Sequence, residues 1–143
     1  MTELKFKTII NPSEQQVAPI HYGLDQFDIA YLGKEIVEDH QNVAVIAGDE
    51  TGTVIGGIHG EIFYNWLHVH TFWVDETWRG QKIGTRLLFQ IEEVALVKEC
   101  HGSHLETIGF QALEFYLKNG YEVFGQLNNK PKGNIWYYLK KEW

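Results

Sequence analysis

The residues best suited to chemistry lie in a short stretch, VDETWRGQKIGTRLL, at positions 74–88. Arg79, Gly80, Lys82 and Gly84 precede a run with helical spacing. The first turn of a helix has backbone N–H groups without intrahelical partners, and its dipole favours negative charge. Glycine lets a ligand approach that backbone with no Cβ in the way. Two cations among the glycines add to the pull. The chemistry implied is phosphate binding at a helix N-terminus. A plain strand-to-helix turn with incidental glycines remains the competing reading of the loop taken alone.

Other candidates flank this loop. His68 and His70 lie two apart in WLHVHTFWV, an alternating stretch that reads as a strand. Imidazole exchanges a proton near neutral pH. On a regular strand the even positions His68, His70, Phe72 and Val74 share one face. Glu106, in HLET, could bind or deprotonate an amine, with Glu61 a weaker candidate of the same kind. Each also has an ordinary reading as a polar residue on a half-buried strand. Two histidines at this spacing raise the question of a metal, but no third ligand appears near them in the sequence, so none is expected. Cys100 has no activating neighbour and reads as a small packed residue.

Two phosphate motifs are excluded. Gly84 is followed by Thr85 and Arg86, not by Lys-Ser/Thr, so this is not a P-loop. Gly80 and Gly84 are four apart, which does not fit a dinucleotide loop. The segment Arg79-Gly80-Gln81-Lys82-Ile83-Gly84 instead resembles the Arg/Gln-x-x-Gly-x-Gly/Ala pyrophosphate loop of the GNAT N-acetyltransferases. Downstream, ALEFYLKNGYEVFG resembles that family's late helix and strand, at the family's usual separation. The element order agrees over roughly the last two-thirds of the chain. The first third matches loosely.

The resemblance implies a mixed, splayed α/β (α+β) sheet flanked by helices, and an N-acetyltransferase with acetyl-CoA as co-substrate. It implies cofactor contacts from Trp73, Val74, Arg79, Gly80, Gln81, Lys82, Ile83, Gly84 and Thr85. The amide of Val74 or its neighbour would hold the thioester carbonyl. Tyr116 falls where the family has a tyrosine near the cofactor sulfur, and a phenol of ordinary pKa suits a proton donor there. His68 and His70 resemble the paired histidines of arylalkylamine N-acetyltransferases. Glu106 would lie beside the gap where the cofactor enters, as a base competing with the histidines. Two positions depart from the pattern. Lys82 replaces a usual glycine, which a negative φ would accommodate, and Gly109 stands where many relatives have asparagine.

The elements that must position these groups follow from periodicity. Residues 4–10 alternate and read as a first strand. NPSEQQV has helix-capping residues, and the region to about residue 40 reads as helix broken near Gly23 and Gly33. Two β-rich runs flank DETG, a hairpin. After the glycine loop a helix is expected over about residues 83–99, with Ile83, Leu87, Ile91, Val94 and a snorkelling Lys98 on one face. SHLETIGF reads as a strand and QALEFYLKN as a helix ended by Gly120. YEVFGQL and NIWYYLKKEW read as strands around NNKPKG. The central strand–helix–strand crossover makes its two strands parallel.

The chain of 143 residues fits one domain, residues 1–143, with a net charge of -7. That acidity disfavours nucleic acid and anionic membranes as partners and suits an amine. The single cysteine excludes an intrachain disulfide. The start MTELKFKTII lacks an apolar run of signal length, and no segment reaches membrane-span length, so a cytoplasmic protein is expected. The expected acceptor is a primary amine of a small molecule. The aromatic cluster Phe63, Tyr64, Trp66, Phe72 and Trp73 favours an apolar or aromatic one, unless it is core. Self-association into a homodimer is left open. The rivals are acetylation of a protein N-terminus or lysine, and a sensor that binds acetyl-CoA without turnover.

Overall fold

The computed structural model describes residues 3–143, with only the backbone at 110 and 111. Met1 and Thr2, which begin the segment read for a signal sequence, lie outside the described residues. The chain divides into two compact units, Met1–Asp39 and His40–Trp143.

The first unit is helical. Helix α1, Glu14–Leu32, starts with a complete capping box. Gln16 N–H donates to Ser13 Oγ at 3.2 Å, and Ser13 N–H to Gln16 Oε1 at 3.0 Å. The helix passes through Gly23, where a break was expected, and ends at Gly33, whose φ is 96°. A glycine inside a helix costs only about 1 kcal/mol against alanine, so it need not break one. Helix α2 is Lys34–Glu38. The strand expected over residues 4–10 does not form. A strand requires a neighbour for its N–H and C=O groups, and among the described residues none pairs with this segment.

The second unit contains strands β1 (His40–Gly48), β2 (Val54–Phe63), β3 (Trp66–Val74), β4 (Gly102–Ile108), β5 (Glu122–Asn128) and β6 (Ile135–Glu142), with helices α3 (Ile83–Val97) and α4 (Phe110–Lys118). One six-stranded sheet runs β1-β2-β3-β4-β6-β5. All neighbours are antiparallel except β3 and β4, the two strands of the expected crossover. The DETG hairpin turn is tied by Asp49, which accepts from the amides of Thr51 at 2.8 Å and Thr53 at 3.0 Å.

Helices α3 and α4 share one core with the sheet, built on Ile58, Leu67, Val69, Leu87, Leu88, Ile91, Leu105 and Leu139. The buried stripe of α3 is Leu87, Leu88, Ile91, Glu92 and Ala95. Lys98 lies beyond the helix end and is exposed, so it does not snorkel. Glu92 is buried yet paired. Tyr121 Oη lies 2.8 Å from Glu92 Oε2 and 2.9 Å from Ser103 Oγ, and Lys141 Nζ donates to Glu92 Oε1 at 3.0 Å. The paired charge satisfies the rule that buried ions need partners. Cys100 is packed and buried, as expected.

Two irregularities in β3 shape the site. First, β3 and β4 pair only from Trp66/Gly102 to Val69/Leu105. Beyond that point the two strands no longer pair with each other, though each keeps its outer neighbour, so the sheet splays into a gap between residues 70–74 and 106–108. Second, β2 pairs Gly60 with Val69 but His59 with Thr71. His70 is therefore an extra residue, a β-bulge. Before it, Leu67 and Val69 enter the core. After it, Phe72 and Val74 do. The regular alternation expected for residues 68–74 is corrected accordingly: His68 and His70 stay together on the open face, while Phe72 and Val74 pass to the core face. Gly60, opposite the bulge, is required by space, since a Cβ there would lie 2.5 Å from the His68 carbonyl oxygen.

Candidate active site

A cleft of about 380 Å³ opens on the core side of the gap. Phe72, Trp73 and Val74 of β3 line it, with Arg79, Gly80 and Lys82 of the loop, Ile83 and Gly84 of the first turn of α3, and Phe115 and Tyr116 of α4. The glycine loop and the candidate tyrosine thus share one space. Gln81 and Thr85 do not line it.

The loop is shaped to expose amides. Gly80 has φ 83° and nothing within 4 Å of a notional Cβ. Lys82 is the N-cap of α3 with φ 61° and ψ 20°, so it does not adopt the negative φ that would accommodate a residue other than glycine. This is the left-handed conformation that glycine takes freely, which explains why the family pattern has glycine there. The first α3 bond runs from Arg86 N–H to the Lys82 carbonyl at 3.1 Å. The amides of residues 83–85 precede it and remain for a ligand. Gly84 sits under the ring edges of Phe72 and Phe115, each 3.6 Å from a notional Cβ. There is room for a methyl group and none for a branched side chain. Gly109 has φ 90° and ψ 145°, a conformation that disfavours asparagine and accounts for the second departure.

The end of β3 supplies another donor. Asp75 N–H donates to the Ile55 carbonyl at 2.7 Å. In an antiparallel ladder bonded pairs alternate, so Trp73 faces β2 and Val74 turns its N–H and C=O to the gap. Arg79 Nε donates to that carbonyl at 3.0 Å. Arg79 thereby spends part of its guanidinium fixing the strand end. The Val74 N–H points into the gap.

Tyr116 is buried against Phe72, Phe115 and Tyr121. Burial pushes its phenol up to about 12, above the ordinary value expected from sequence. Among the described residues its hydroxyl has no hydrogen-bond partner. It is therefore a protonated donor throughout the neutral range.

The open face of the sheet carries a different assembly. His68 Nε2 lies 2.9 Å from Glu106 Oε2 and 3.2 Å from Oε1. The two groups that sequence treated as competing bases form one pair. His70 Nε2 lies 3.0 Å from Glu61 Oε1, and Glu61 also bonds His40, which holds its carboxyl below the usual range. The His68 ring lies 4.2 Å from that of His70 and is stacked at 4.2 Å on His104. Burial, then the neighbouring His68, lowers the His104 pKa below the ordinary imidazole value. Next to this cluster is a cavity of about 470 Å³ lined by Phe63, Tyr64, Trp66, His104, Phe124 and Lys140. The aromatic cluster noted in the sequence is thus divided. Phe63, Tyr64 and Trp66 line the open-face cavity, while Phe72 packs in the core and Trp73 borders the cleft.

Sequence reasoning missed His104 and the joining of Glu61 to His70. The pattern in SHLE puts His104 and Glu106 on one strand face, a signal that was available. That His104 is the register partner of His68 is a tertiary fact.

Residues 6–121 match the sequence pattern of the acetyltransferase (GNAT) family. The chain belongs to that family. Its enzyme class is accordingly acyltransferase. Among its relatives, the blasticidin-S acetyltransferase of Streptomyces morookaense is 38% identical over 100 residues, 69% of this chain and 74% of that protein. The 1.9 Å crystal structure of an acetyltransferase from Bacillus cereus superposes with a TM-score of 0.87 at 31% identity, covering 96% of this chain and 98% of the other. The 1.6 Å crystal structure of a Bacillus anthracis protein described as a streptothricin acetyltransferase, in complex with acetyl coenzyme A, superposes with a TM-score of 0.66 at 22% identity, covering 76% of this chain and 66% of the other. The GNAT fold therefore holds across the sheet and both helices of the second unit. Among the described residues no helix is long and apolar enough to cross a membrane.

Proposed function

We propose that this acetyltransferase moves the acetyl group of acetyl-CoA to a primary amine of a small molecule, by direct attack in a ternary complex. One observation carries the reading. The splay beyond Val69 and Leu105 stands between a cleft bearing Tyr116 and a face bearing the His68–Glu106 pair. A donor entering from one side and an acceptor from the other would meet in the gap.

Pyrophosphate lies against the amides of residues 83–85 and beside Lys82, with Arg79 and Gly80 bordering it. The thioester reaches the gap, where the Val74 N–H supports the carbonyl oxygen as it becomes an oxyanion. The acceptor amine attacks the carbonyl carbon, the C–N bond forms, and the C–S bond breaks. The amine proton passes to His68, directly or through water, with Glu106 orienting the imidazole. His70, paired with Glu61, is the second proton acceptor within reach.

Tyr116 acts at the leaving sulfur. Handing its proton fully to a thiolate of ordinary basicity would be uphill by some three pK units, roughly 4 kcal/mol. The phenol therefore stabilises the sulfur by donating a hydrogen bond as charge develops, and solvent supplies the final proton.

The acidic pairs suit a cationic amine, and the aromatic cavity beside them suits a planar or apolar body attached to it. A relative named for blasticidin S supports a small molecule over a protein N-terminus. The test is a panel of amines, polyamines and short peptides incubated with acetyl-CoA, read as acetylated product by mass. Product from a small amine supports the reading. Product from peptides alone, or acetyl-CoA binding with no product from any acceptor, overturns it.

A further inference from the structure

We propose that His68, His104 and Glu106 form a binding site for a divalent transition metal of the zinc class on the open face of the sheet. His68 and His104 are direct register partners across the parallel β3/β4 ladder, in its last paired stretch. Glu106 is two residues beyond His104 and shares its face. The backbone thus fixes all three side chains in one direction, on strands rather than on a loop. Each is partly buried, and their candidate ligand atoms all lie within 4.8 Å of one another.

The donor set is two imidazoles and one carboxylate, the composition that zinc and its neighbours favour when a coordination position stays open. Tetrahedral bonds of about 2.0–2.1 Å imply ligand atoms about 3.4 Å apart. His68 Nε2 and Glu106 Oε2 are already at 2.9 Å, and the stacked His68 and His104 rings at 4.2 Å. The gap left to close is small, since all three ligand atoms already lie within 4.8 Å of one another. The site borders the aromatic cavity, which His104 also lines.

A second triad, Glu61, His68 and His70, competes for the same His68. Its glutamate already serves both His40 and His70, and His70 is more exposed. Glu106 has no ion-pair partner but His68 among the described residues. The inner triad is the better site. A bound ion would occupy the nitrogen that pairs with Glu106, so metal and acetyl transfer would exclude each other. That consequence rests on the function proposed above; the binding does not.

The experiment adds cobalt(II) to metal-free protein, without acetyl-CoA, and reads visible ligand-field absorption, with calorimetric titration of zinc alongside. The expected result is one ion per chain. His104→Ala should weaken it at least about 100-fold, the upper range for losing even an outer-shell partner. His59→Ala should leave affinity unchanged. Glu106→Gln, which keeps a hydrogen-bonding side chain, should also weaken it and serves if His104→Ala does not fold. Absence of stoichiometric binding, affinity that survives both variants, or affinity lost in His70→Ala but kept in His104→Ala overturns the site. Separately, zinc should slow product formation in wild type and not in His104→Ala. A protein that binds zinc but acetylates nothing would retain the site and lose the proposed function.

Discussion

The two faces of the central sheet carry candidate sites built by different means. On the core face the cleft is bounded by backbone: left-handed residues at Gly80 and Lys82, free amides at the start of α3, and glycine under two phenyl rings. Polar side chains contribute little beyond Arg79, Lys82 and Tyr116. On the open face the backbone is ordinary strand and side chains supply everything, with His40, Glu61, His68, His104 and Glu106 contributed by four strands. A backbone site tolerates many side chains and few shapes. A side-chain site tolerates changes of shape and few changes of group. Substitutions that delete a functional group should therefore be costly on the open face, and substitutions that add bulk should be costly on the core face. Tyr116 is the exception, being the one core-face side chain to which the proposed mechanism gives a chemical role.

That exception makes the largest effect. Tyr116→Phe keeps the buried ring and removes the donor. Single-turnover measurements with both substrates saturating should show acetyl transfer slowed about 10²–10³-fold, the range for losing one transition-state donor. Affinity for acetyl-CoA should be nearly unchanged. Unaltered turnover would leave the core face with no side-chain chemistry.

The open face is tested through its pairing. His68→Gln and Glu106→Gln should each lower kcat/KM by about 10²-fold, as for loss of general-base catalysis. The double variant should be little worse than either alone, because groups that act as a unit are not additive. Fully additive losses would restore them as independent bases.

A bulk substitution tests the cleft. Gly84→Leu should weaken acetyl-CoA binding at least about tenfold, or about 1.4 kcal/mol, by calorimetry. It should leave metal and acceptor binding on the open face intact. Unchanged cofactor affinity in the folded variant would remove the loop from the site.

The smallest expected effect concerns pH. Tyr116 must stay protonated to donate, and activity that depends on it is lost only as pH rises through its pKa. With that value raised to about 12 by burial, kcat should show no alkaline fall attributable to Tyr116 up to about pH 10. A fall near pH 10 that vanishes in Tyr116→Phe would show that the phenol is less shielded than its packing implies.

The contrast between the faces also explains what could be read from sequence. The cleft depends on a contiguous loop, residues 79–84, and a contiguous helix around Tyr116, so local spacing reports it. The crossover, the hairpin and α4 were legible for the same reason. The pairing of His68 with Glu106 is set by strand register across the sheet, which no local pattern encodes. Nor does alternation reveal His70 as an inserted residue, so the placement of Phe72 and Val74 was misread. Residues 4–10 alternate as a strand should, but alternation does not provide a partner. At Lys82 the residue type gave no warning of a positive φ; only the position in the turn demands it.

The bulge at His70 works as a frameshift within one strand. Side chains on a strand follow a two-beat alternation, and one supernumerary residue moves everything after it to the opposite beat. A single strand thus sends His68 and His70 to the open face from its first half and Phe72 and Val74 to the core side from its second. Substituting His70 would change one imidazole and leave this phase intact. Deleting it would join Val69 directly to Thr71 and give one unbroken ladder, with Leu67, Val69, Phe72 and Val74 still inward and the Val74 amide still toward the gap. What the extra residue adds is a second imidazole beside His68 on the open face and the local bend of a bulge where β3 leaves β4.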